Sequence, residues 1–203
     1  MTVQKGRDWG SSGGLPEEGV IVRSDAEARA VVTAARRVQE EIPPLGLLGG
    51  DLCKTVGGRG DEARLRSDEA ARLNVDLGSV LVDGRLHWFV AHLVTRRGWL
   101  RGPLFGAFNA QWLGSWDVAP RAHPGDGQLE IVEVTMSAGD RLKARRRLPT
   151  GTHVPHTGIR IRRADAVQRD LPKGHAVWLD GERLGPAATV SVRVEPDVLR
   201  VVV

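Results

Sequence analysis

Among its 203 residues the chain has a single cysteine, Cys53. No internal disulfide can form, and a cysteine-based zinc centre is excluded within one chain. No His-Asn pattern stands near Cys53, so it reads as a small buried hydrophobe rather than a nucleophile. Tyrosine is absent and phenylalanine occurs three times, yet there are six tryptophans. Trp88, Trp112, Trp116 and Trp178 lie in or beside apolar runs and are expected in the core, the usual place for so much aromatic surface. Trp99, set between Arg96-Arg97 and Arg101, reads as an interfacial anchor. No apolar run approaches the ~18 residues that span a bilayer. Residues 1–16 lack the apolar stretch of a secretory signal, which makes a cytoplasmic protein the expectation.

What is present suits a globular chain. Hydrophobic residues make up 41% and charged residues 27%, enough for one sizeable core or two small lobes. The formal charge is +4, carried almost wholly by arginine. Such a balance draws phosphate-rich partners, whether nucleic acid, nucleotides or anionic lipid. A solvated arginine-rich surface explains the same excess.

The order of elements divides the chain in three. Residues 1–17, with Ser11-Ser12-Gly13-Gly14, read as a flexible arm with no means of burying apolar area. Residues 18–73 carry β-α-β-α grammar. Val20 to Val22 is a β-branched strand, and Ser24 caps a helix with Glu27 at the capping-box spacing. That helix must end before Pro43-Pro44. Leu45 to Leu48 is the second strand, and a short helix follows Gly49-Gly50. Residues 74–203 change to many short strands, the signature of a sandwich or barrel. Strands are expected at 75–82, 86–94, 103–113, 128–135, 158–164, 176–179, 188–194 and 198–203, with a basic helix over 137–148. Asp83-Gly84 is a two-residue hairpin signal.

Several motifs carry possible chemistry. Gly49-Gly50-Asp51 follows a strand and opens a helix; taken alone it is a capped turn. Ala119-Pro120 precedes His123-Pro124-Gly125-Asp126-Gly127-Gln128, where an Asp-Gly turn can offer a carboxylate and carbonyls together to a hard cation. A plain turn is the other reading. Trp178-Leu179-Asp180-Gly181-Glu182 reads equally as a β-hairpin or as a carboxylate pair lining a cleft. His153 and His156 have no acidic or sulfur partner and read as structural rather than zinc ligands. Arg141, Lys143, Arg145, Arg146 and Arg147 make the basic helix a candidate to lean on anionic lipid or a solvated face.

Taken in order, Asp25, Gly49-Gly50-Asp51, Val75-Asp76-Leu77-Gly78, Ala119-Pro120 with Asp126-Gly127, Thr150 to Ile159 and Asp180-Gly181-Glu182 resemble the diacylglycerol kinase, sphingosine kinase and bacterial lipid kinase family over about residues 19–203. The resemblance implies a mixed α/β, β-rich fold: an antiparallel β-sandwich-like C-terminal domain with a small truncated α/β lobe. It places Asp25, Gly49, Gly50 and Asp51 at the nucleotide. It makes Glu182 or Asp180 the carboxylate that would accept the proton of a lipid hydroxyl attacking the γ-phosphate. It implies a structural Mg²⁺ held by the Asp126 carboxylate and the carbonyls of His123 and Gln128. The family's phosphate loop is glycine-rich, whereas Val22 to Glu27 contains no glycine, so side chains stand where backbone should approach phosphate. The expectation is a lipid-kinase-like protein with a degenerate phosphate loop, catalytically impaired, binding a lipid, an anionic membrane surface or a partner chain rather than nucleic acid. The alternatives are an active ATP-dependent lipid kinase completed by homodimerisation or a second chain, and an interaction module without a ligand.

Overall fold

The computed structural model describes residues 9–203. Its elements are β1 (Gly10–Ser12), β2 (Val20–Val22), α1 (Asp25–Val38), β3 (Leu45–Leu47), α2 (Asp51–Thr55), α3 (Glu62–Leu65), β4 (Ala71–Val82), β5 (Arg85–Phe89), β6 (His92–Arg96), β7 (Leu104–Phe108), β8 (Trp112–Leu113), β9 (Trp116–Asp117), β10 (Leu129–Val134), α4 (Ala138–Arg147), β11 (Ile159–Ala164), β12 (Ala166–Asp170), β13 (Ala176–Leu179), β14 (Glu182–Pro186) and β15 (Thr189–Val202). The first sheet runs β1-β4-β15-β3-β2, with β12 on β15 and β5 on β4; the second runs β11-β10-β7-β6-β13-β14. Among the described residues only the β2–β3 and β15–β3 pairs are parallel. The fold is β-rich and sandwich-like, as the sequence implies.

The β2-α1-β3-α2 unit forms where the signals place it. Ser24 Oγ accepts the Glu27 N–H, and the Glu27 carboxylate reaches back to the Arg23 N–H at 2.7 Å, one residue earlier than the usual capping box. Gln39 closes the helix in a left-handed conformation, ahead of the prolines.

Two long strands serve both layers. On β4, Val75 and Leu77 pack under α1 and α2, while Val80 and Val82 point between the two sheets. On β15, Leu199 and Val201 join the helical core, and Val190, Val192 and Val194 join the sandwich core. The two cores lie on opposite faces of this sheet, and the β15 register shift, which sets the four steps from Glu195 to Leu199 against the two from Leu77 to Val75, adds two residues and so keeps the alternation of faces. The sequence-derived boundary at 73/74 therefore runs through a strand that both cores share.

Of the arm expected over residues 1–17, residues 1–8 lie outside the described residues. The remainder is tied down: β1 pairs with residues 71–73, and Leu15 is buried against Leu65 and Val202. One apolar side chain and three ladder residues hold a segment whose composition alone suggests none. The strand expected at 86–94 is two strands in different sheets, and those expected at 188–194 and 198–203 are one.

None of the six tryptophans is buried. The core is built from Val, Leu, Ile, Ala and Phe; Trp9 and Trp88 pack on the edge of the helical core, and the other four indoles face cations. Lys54 lies over Trp112, Arg96 over both Trp99 and Trp178, and Arg145 over Trp116. An indole carries an N–H that a dry core would leave unpaired. Among the described residues no helix is long and apolar enough to cross a membrane.

Candidate functional site

The sequence-predicted residues Asp25, Gly49, Gly50, Asp51, Asp180 and Glu182 converge where the helical layer meets the sandwich. Asp25 opens α1, and its carboxylate accepts the N–H groups of Asp51 and Leu52 at 2.5 and 3.1 Å. It thereby caps α2, whose own Gly50 has no side chain to do so. Gly50 is at φ +98°, and a Cβ there would lie 2.5 Å from the Asp25 carboxylate. Only glycine fits both the backbone and the approach.

Asp51 projects the other way. Its carboxylate meets His92 Nε2 at 3.0 Å and accepts the Gly114 N–H at 2.8 Å. Asp180 is fully buried at the turn between β13 and β14. Its carboxylate accepts three N–H groups in succession, from Val90, Ala91 and His92. Those bonds replace the ladder of the strand expected at 86–94 and carry the chain from one sheet to the other. Arg29 of α1 completes the group: its Nε lies 3.7 Å from Asp180, and its guanidinium bonds Glu182. The Glu182 side chain is 66% exposed, whereas that of Asp180 is 0%.

These carboxylates do not titrate normally. Burial, then the neighbouring charge of Asp180, pushes Asp25 up to about 6. Burial also raises Asp180, against the pull of His92 and its three N–H donors. For His92 burial lowers the pKa, but the Asp51 hydrogen bond and the charges of Asp180, Asp51 and Asp25 outweigh it, and the net shift is upward. Asp51 goes down because its bonds to His92 and Gly114 exceed its own burial. Ligand atoms of Asp25, Asp51 and His92 lie within 4.8 Å of one another, a spacing that a divalent cation could bridge.

Sequence reasoning missed His92 and Arg29. A lone histidine inside an apolar strand and an arginine on an Arg-rich helix carry no pattern. Asn109 is buried and donates to the carbonyls of Asp76 and Val90, tying the first sheet to the crossover.

Asp126, His123 and Gln128 sit apart from this cluster. The Asp126 carboxylate bonds Arg163 and accepts the Gln128 N–H. The His123 carbonyl accepts N–H groups from Gly125 and Asp126. As placed, these oxygens do not form a cage that fits a hard cation: a guanidinium already neutralises the carboxylate, and a magnesium ion would have to displace it.

A second concavity lies on the outer face of the second sheet, beneath α4. It is a cavity of about 340 Å³, within the roughly 300–1,000 Å³ of small-molecule sites. Val94, Phe108, Val132 and Val134 form its floor and α4 its roof. Buried His153 lines it with one ring nitrogen directed at the Val118 carbonyl and the other without a hydrogen-bond partner. Burial lowers its pKa, so the ring at neutral pH is uncharged, with one donor and one acceptor.

A family model described as the YegS C-terminal NAD kinase beta sandwich-like domain matches residues 78–203. No curated protein matches in sequence. Among solved structures, a presumed diacylglycerol kinase from Bacillus anthracis Sterne superposes with a TM-score of 0.67 at 13% identity, covering 91% of this chain and 77% of that one. A diacylglycerol kinase from the same organism gives 0.61 at 14%, covering 91% and 75%.

Proposed function

The chain belongs to the family of the YegS C-terminal NAD kinase β-sandwich-like domain, and its fold is lipid-kinase-like; from that premise we propose that it binds a lipid chain and does not transfer phosphate. One observation carries the second half. Four backbone N–H groups at the strand-to-helix turns, those of Arg23, Glu27, Asp51 and Leu52, are taken by the side chains of Glu27, Ser24 and Asp25. Such groups at helix N-termini are what a phosphate uses. Here two carboxylates stand in its place. Phosphoryl transfer rests on positioning and charge neutralisation, and this arrangement works against both. The candidate base Glu182 is held by the Arg29 guanidinium, which ties its carboxylate to α1.

The cavity beneath α4 supports the lipid half. Its walls are aliphatic and aromatic, and the ring nitrogen of neutral His153 that is turned away from the Val118 carbonyl suits the hydroxyl or ester oxygen of an otherwise apolar chain.

The test is a pair of measurements on the whole chain. Magnesium with ATP should leave the melting temperature unchanged. A fluorescent single-chain lipid should bind and be displaced by an unlabelled monoacylglycerol. Ala144 lines the cavity on α4, and Ala144→Trp, which fills it, should abolish uptake. A magnesium-dependent rise in melting temperature with ATP would favour the active kinase over this reading. Lipid uptake unaffected by Ala144→Trp would remove the cavity from it.

A further inference from the structure

The residues around the mouth of this cavity are unusual for a free surface. Trp99, Leu100 and Leu142 are 44%, 55% and 57% exposed, yet all three also line the cavity. They belong to two segments, the loop over 97–103 and the helix α4. Buried Arg141 joins these: its guanidinium donates to the Trp99 carbonyl at 3.0 Å and to the carbonyl of Gly102, and its Nε to that of Met136. Trp99 is held further by an edge-on contact with Trp116 and by Arg96 stacked on its ring. The apolar tips are thus presented on a braced platform.

Charge surrounds them. Arg97, Arg101, Lys143, Arg145, Arg146 and Arg147 are exposed on the same two segments, and the acid beside them is Asp140. This face alone carries more positive charge than the +4 of the whole chain. Trp and Leu ringed by Arg and Lys match the boundary between headgroups and acyl chains, where the indole sits at headgroup level and the cations meet lipid phosphate. A nucleic acid would use the cations and leave Leu100 and Leu142 in water.

We propose that the 97–103 loop and α4 dock this protein on an anionic phospholipid bilayer, with Trp99, Leu100 and Leu142 entering the interface and the surrounding arginines on the headgroups. The inference builds on the lipid-cavity reading, because the docked face would set the cavity mouth against the bilayer from which a chain would enter.

The experiment is co-sedimentation with vesicles of phosphatidylcholine alone and of phosphatidylcholine with phosphatidylglycerol. The protein should pellet with the second and not the first, and rising salt should release it. Arg146→Gln with Arg147→Gln should weaken binding by more than tenfold, each cation near an anionic surface being worth roughly fivefold. Leu100→Ser with Leu142→Ser should weaken it at unchanged charge; both pairs are more than a third exposed, so melting temperatures should stay near the wild-type value. Equal binding to both vesicles, no binding, or binding untouched by either pair would overturn docking. Ala144→Trp separates the two readings. If it sediments with vesicles while losing lipid uptake, both stand. Uptake by a wild-type protein that does not sediment overturns docking alone, and sedimentation without uptake overturns the cavity alone.

Discussion

Asp180 and His92 hold each other through the backbone. The Asp180 N–H donates to the His92 carbonyl at 2.9 Å, and the His92 N–H donates to the Asp180 carboxylate at 3.1 Å. With the Val90 and Ala91 N–H groups on the same carboxylate, Asp180 fixes the point where the chain leaves one sheet for the other.

That role separates the two acids of the Asp-Gly-Glu turn. Asp180→Asn would set an amide donor against N–H donors in a fully buried site, and the expected loss is about 3 kcal/mol. Glu182→Gln removes a carboxylate that is largely open to water, and its loss should be below about 1 kcal/mol. Urea denaturation of the two variants checks the contrast. Comparable losses would mean that Asp180 does not pin the crossover.

The raised pKa of Asp25 makes stability depend on pH. Its folded value of about 6 lies above the ordinary 3.8, so the folded state binds the proton more tightly than the unfolded one. The associated stability is complete below about pH 4 and is lost as pH rises through 6. The expected fall is of the order of ~3 kcal/mol between those limits. His92, also raised, acts in the same direction at higher pH. In Asp25→Asn the fall between pH 4 and 6 should be smaller than in the wild type, with Asp180, also raised, keeping part of it. Equal slopes in urea titrations across this range would refute the assignment.

Much of this architecture is legible in the residues, for local reasons. Ser24 with Glu27 starts α1, Pro43-Pro44 bounds it, and the Asp83-Gly84 and Asp180-Gly181 turns adopt the positive φ angles such hairpins require. The convergence of Asp25, Gly50, Asp51, Asp180 and Glu182 is legible only as motif order. What escapes is set at long range. The break at Val90 depends on a carboxylate at position 180, and the continuity of β15 depends on pairing with β4. The tryptophans escape because size alone suggests burial, whereas here four of the six rings lie beside cations.

Gly50 tests whether the Asp25 cap is as tight as its geometry. Gly50→Ala must strain the backbone at φ +98° and push away the carboxylate that holds two N–H groups. The loss should be about 2–4 kcal/mol. Gly57 has φ +81° and nothing within 4 Å of an added Cβ, so Gly57→Ala should cost only about 1 kcal/mol. Thermal melts of the pair isolate the steric part. If the two variants melt together, the close approach of Asp25 to Gly50 contributes nothing.

The Asp126 loop offers a test in which a cation and an arginine compete for one carboxylate. The Arg163 guanidinium sits on Asp126, and the Gln128 N–H takes another share of it at 3.0 Å. Magnesium would have to remove a charge-assisted bond and also dehydrate, which it does reluctantly. Millimolar magnesium should therefore leave the wild-type melting temperature where it is. Arg163→Gln frees the carboxylate and removes the repulsion between guanidinium and cation. That variant should melt lower than the wild type in chelator and recover part of the difference with magnesium, while Arg163→Gln combined with Asp126→Asn should not respond. A magnesium-induced rise in the wild type as large as in Arg163→Gln would show that the guanidinium does not guard the loop, and that Asp126 and its neighbouring carbonyls take the metal regardless.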